Sequence, residues 1–108
     1  MTNNDRLELL KQTLEMLAGI KSVNNDEQIA YDLSEIEGDN YTFLHPVNLL
    51  PVNYDFKVFD SELIARIAAL RREVDSLPKN LWNVSEYRHS TEWNSIKSEA
   101  DSLLKKIS

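Results

Sequence analysis

Between Asp60 and Pro78 the apolar residues Leu63, Ile67, Leu70, Val74 and Leu77 recur at three- and four-residue steps, the spacing that an α-helix turns into one face. Asp60 can accept hydrogen bonds from first-turn amides, and Pro78, which lacks an amide hydrogen, stops the helix. A stripe of this kind has to be covered by other elements, so it dictates a helical partner set. The chain supplies two more stripes. From about residue 4 to 21, Leu7, Leu10, Leu14 and Leu17 repeat the step and Leu9, Met16 and Ile20 widen it; Asn3 or Asn4 is placed to cap the start, and Gly19 to weaken or end the last turn. After Ser90 or Thr91 come Trp93, Ile96, Ala100, Leu103 and Ile107, with Lys105 and Lys106 at the negative end of the helix dipole.

Between these stripes the pattern is less regular. A shorter helix is expected from Asn25, three residues before Gln28 in a capping-box-like arrangement, through Ile29, Leu33 and Ile36 to Gly38. In "VNYDFKVF", Val52, Tyr54, Phe56 and Val58 alternate with polar residues, the period of a half-buried strand, and Tyr41 to His45 is a candidate partner strand. An irregular aromatic-anchored loop is the competing reading. Pro46 and Pro51 punctuate "HPVNLLPVNYDF" and leave Leu49 and Leu50 either to tuck onto the bundle or to form an apolar knob. In "KNLWNVSEYRHS" one or two helical turns behind Asn83 would place Trp82 and Tyr87 between helices. The fold expected is mainly α: one helical domain over residues 1–108, an antiparallel bundle of three to four helices, with a non-helical or short β-hairpin insertion at about residues 39–59.

With 42% hydrophobic and 28% charged residues the composition is that of an ordinary globular protein. No basic leader precedes a continuous apolar run, and no stretch approaches the roughly eighteen apolar residues of a membrane span, so a cytoplasmic location is expected. The absence of cysteine excludes disulfides, thiolate metal sites and thiol catalysis. The formal charge of -6 disfavours direct contact with nucleic acid or anionic membrane. That charge is concentrated. Between Ser22 and Asp60 eight acids face the single base Lys57, whereas the rest of the chain carries +1.

Motifs for chemistry are missing or have simpler explanations. His45 and His89 have no second histidine at helical spacing, so no metal or other cofactor is expected. Asp32 and Glu35 share a helical face and could act as acid and base, but such a pair needs desolvation, and both are expected to face solvent. Gly19 and Gly38 make no phosphate cradle, no serine sits in a nucleophile elbow, and Arg71 and Arg72 lie among Glu62, Glu73 and Asp75. An enzyme is not expected.

What stands out is the acidic window interleaved with tyrosine: Asp26, Glu27, Tyr31, Asp32, Glu35, Glu37, Asp39, Tyr41, Tyr54 and Asp55. Tyrosine supplies burial at protein interfaces, and clustered carboxylates steer encounter with a basic partner. These ten are the candidate partner-binding residues. In general style the chain resembles the small acidic helical immunity proteins of nuclease bacteriocins, a likeness that carries over no individual residue. It implies a binding protein that neutralises a basic partner such as a toxin nuclease domain, as an immunity protein or antitoxin does. The alternative is a structural or adaptor module whose heptad-like stripes continue across a subunit boundary into a homo- or hetero-oligomeric bundle.

Overall fold

The computed structural model describes residues 2–20, 25–57 and 59–107, with the backbone alone for 41–43, 46–47 and 54–56. These residues form six α-helices, α1 (Asn3–Ala18), α2 (Asp26–Phe43), α3 (Pro46–Phe56), α4 (Ser61–Asp75), α5 (Val84–His89) and α6 (Thr91–Ile107), with a 3-10 turn at Lys79–Leu81. Helices therefore number six where three to four were expected, and no strand occurs among the described residues. The radius of gyration, 13.3 Å, is that of a compact chain of this length. No described helix is long and apolar enough to cross a membrane.

Helix α4 begins as its sequence requires. The Asp60 carboxylate accepts from the Leu63 amide at 2.7 Å, and Leu63, Ile67, Leu70 and Val74 are all buried. The stripes of α1 and α6 are buried in the same core, Leu7, Leu10, Leu14 and Leu17 against Trp93, Ile96, Ala100 and Leu103. Helix α1 is the central element, packing most extensively on α6 and also on α2 and α3. The main residues of these stripes pack on one another within the chain, while Ile20 at the end of the α1 stripe is exposed. Across α4 and α6, Arg66 clasps Glu99 through two hydrogen bonds, of 2.5 and 3.3 Å.

The caps are close to those expected. Thr2, rather than Asn3 or Asn4, caps α1 in a reciprocal capping box with Asp5, because Asn3 is already the first helical residue. Gly19 closes α1 in the left-handed region at φ 72°. Asn25 accepts from the Gln28 amide at 3.1 Å, Asn83 from the Glu86 amide at 2.9 Å, and Ser90 from the Trp93 amide at 3.2 Å.

The insertion at residues 39–59 is the main correction. Helix α2 does not stop at Gly38 but runs to Phe43, and most of the segment expected to be a hairpin or loop is α3. Two prolines suggested punctuation, yet Pro46 stands at the first helical position, where a missing amide hydrogen and a fixed φ favour helix. His45 O accepts from the amides of Asn48 and Leu49 to close the first turn. Pro51 does sit inside the helix and removes one hydrogen bond, but Leu49 and Val52, three apart, both bury. The carbonyl of Pro51 also accepts from Asn3 Nδ2 at 3.2 Å, tethering α3 to the start of α1. Burial outweighs local preference here. Leu49 and Leu50 divide the two roles foreseen for them, the first buried and the second 58% exposed. Helix α3 ends at Lys57, whose φ of 54° is left-handed and whose amide donates to Asn53 O, while the Asn53 side chain accepts from the Phe59 amide at 2.8 Å. Val58, the last residue of the alternating run, lies outside the described residues.

One buried polar residue had no sequence signal. Asn40 bridges α2 and α4, donating to Arg71 O and to Asp75 Oδ1, while its own Oδ1 finds no partner among the described residues. Gly38, two residues earlier, has open space where a Cβ would stand. Gly38→Ala should therefore stabilise the protein by about 0.5–1 kcal/mol, the helix-interior difference between the two residues, read as a higher urea midpoint at unchanged slope. A loss of stability would show that Gly38 is needed for something other than helix.

Candidate functional site: an acidic groove between the first two helices

Helical spacing places Gln28, Tyr31, Asp32, Glu35 and Asp39 along one side of α2. Packing of α2 on α1 sets them opposite Gln12, Glu15 and Met16, and these eight residues line a surface groove. Four of them are acids, from two helices, and none is basic. Apolar surface is supplied by Met16 and by Tyr31, which is 59% exposed.

Asp32 was expected to face solvent. It is instead only 4% exposed, because Ile29 and Ile36, three residues before and four after it on the same side of the helix, are buried, and it accepts from Gln28 Nε2 at 2.8 Å. This bond fixes the carboxylate within the groove wall. Glu35 is exposed and Asp39 half-buried. Burial, reinforced by the charge of Glu35, pushes the Asp39 carboxyl above its ordinary range, so an ionised Asp39 is electrostatically strained there. No three His, Cys, Asp or Glu side chains among the described residues converge closely enough to hold a metal ion. The arrangement suits an ammonium or guanidinium group, which brings its charge on a long stem and can lay that stem over Tyr31 and Met16.

Of the ten candidate residues, the fold brings together Tyr31, Asp32, Glu35 and Asp39. Asp26 lies elsewhere, held by Arg88 of α5 at 2.6 Å. Glu27 and Glu37 are exposed but do not line the groove. Tyr41 belongs to the last turn of α2, and Tyr54 and Asp55 to that of α3; their side chains lie outside the described residues. Glu15 was missed. It follows Leu14 of the α1 stripe and so flanks the core, but only the packing of α2 beside it shows which acids it joins. No family model matches the chain, and neither does any curated protein or solved structure at a significant level.

Proposed function

We propose that this chain is a small acidic protein-binding protein that neutralises a basic partner, in the manner of an immunity protein or antitoxin covering a toxin nuclease domain. The observation that carries this reading is the α1–α2 groove, with Glu15, Asp32, Glu35 and Asp39 beside an exposed Tyr31 and no base in its lining. A nuclease presents lysine and arginine to phosphates, and the same side chains are attracted to closely spaced carboxylates. Fixed Asp32 supplies orientation, Tyr31 supplies area that can be desolvated, and the strain on Asp39 is relieved when a cation arrives. Steering by such a cluster raises the association rate more than it slows dissociation.

The test is association kinetics with a purified basic nuclease domain, the first choice being one encoded in an adjacent reading frame where that frame carries such a domain. The rate constant should fall steeply with added salt, and the triple variant Asp32→Asn, Glu35→Gln, Asp39→Asn should associate at least about tenfold more slowly at low salt with little difference at high salt. Salt-independent association, or no binding by a folded wild-type protein, would overturn the proposal. A stable homodimer in sedimentation whose dissociation exposes the groove would favour the adaptor alternative instead.

A further inference from the structure

Where α1 ends against α5 and α6 there is a second concavity of about 260 Å³, opposite in charge to the groove. Gly19, Ile29 and Tyr87 form part of its wall, and Arg88, His89 and Lys97 bring basic groups to it. Lys97 Nζ lies over the Tyr87 ring, 4.1 Å from its centroid, and makes no ion pair with a carboxylate among the described residues. A half-buried ammonium offset only by an aromatic face gives up hydration without full return. Burial, and then the neighbouring charge of Arg88, hold the Lys97 amine below its ordinary range. Arg88 is itself kept in place by Asp26, which accepts from its Nε at 2.8 Å and lies 2.6 Å from its Nη2.

We propose that this cavity binds a small organic anion, with its carboxylate or phosphate group held between Lys97 and Arg88 and its apolar part resting on Ile29 and Tyr87. An oxyanion there supplies the counter-charge that Lys97 lacks among the described residues, and the cavity has room for a compact molecule rather than a chain. The site is separate from the acidic groove and does not depend on the function proposed for it.

The experiment is an NMR titration of the full chain with benzoate and, separately, with inorganic phosphate. Saturable shifts confined to the amides of Gly19, Ile29, Arg88 and His89 are expected, and the ion that binds more tightly assigns the ligand to carboxylates or to phosphates. Lys97→Gln should weaken binding at least about tenfold, as expected for loss of a charge-assisted hydrogen bond, while Lys97→Arg should keep it within a few-fold. The control Lys105→Gln, on the exposed side of α6, should leave affinity unchanged. Shifts that grow linearly without saturation, or saturable binding that Lys97→Gln leaves intact, would overturn the proposal. If Lys97→Gln does not fold, the wild-type Lys97 ε-methylene resonances decide: they must move and saturate together with the amides, and silence there counts against the site.

Discussion

Replacing Trp93 by alanine should leave the protein largely unfolded or close to it. Trp93 is fully buried, with the Trp82 ring edge-on at 5.2 Å and Tyr87 tilted against it at the same distance. Its indole Nε1 donates to Leu81 O at 2.6 Å, which pins the 3-10 turn to the first turns of α6. Truncation removes the largest buried side chain in the core, leaves a cavity and strips the Leu81 carbonyl of its partner. The first effect costs about 3–5 kcal/mol and the second about 1–3 kcal/mol, against a total stability of about 5–15 kcal/mol for a typical domain. In urea the midpoint should drop by more than about 1 M, and near-ultraviolet dichroism from the Trp82, Tyr87 and Trp93 cluster should collapse. Trp93→Phe keeps most of the volume and should lose much less. A cost below about 1 kcal/mol for the alanine variant would mean that this end of α6 is not part of the cooperative core.

The second large effect is expected at Gly19, for a reason that lies sixty-eight residues away in the chain, at Tyr87. Its φ of 72° already disfavours any side chain, at about 1–2 kcal/mol. A Cβ there would also stand 2.8 Å from the Tyr87 hydroxyl oxygen, closer than real contacts allow. That hydroxyl donates to Met16 O at 2.8 Å, tying α5 to the end of α1, so it cannot move without giving up the bond. Gly19→Ala should therefore cost about 2–4 kcal/mol in total, combining backbone strain with a lost, partly buried hydrogen bond. Tyr87→Phe removes both the bond and the obstacle, so the two substitutions should be strongly non-additive, the alanine costing less in the phenylalanine background. Equal cost in both backgrounds would show that the backbone conformation alone is responsible.

The same two sites show how much could be read before the structure. Trp93 falls on a periodic stripe, and its burial follows from that position. Gly19 can be recognised as a helix terminator, since no other residue takes a left-handed φ so cheaply, but its contact with Tyr87 joins segments that nothing in the sequence pairs. The candidate site divides in the same way. Tyr31, Asp32, Glu35 and Asp39 share one side of a helix by spacing alone, whereas the entry of Glu15 depends on how α1 and α2 dock. The burial of Asp32 was misjudged because it sits at the edge of the apolar stripe, where one helical step separates solvent from core.

Sequence by itself determined the mainly helical character, the caps at Asp60, Asn83 and Ser90, and the stripes of α1, α4 and α6, because helix periodicity and capping are local properties of a few adjacent residues. Only the tertiary structure decided that residues 46–56 are helical, since Val52, Tyr54 and Phe56 suit a strand as well as a helix and two prolines weigh against the latter. Burying Leu49 and Val52 on one helical face, with Asn3 bound to the carbonyl of Pro51, tips that balance. Tertiary packing also separated the charge into an acidic groove on α1 and α2 and a basic cavity beside α5 and α6, because which charges meet depends on helix docking and not on order along the chain.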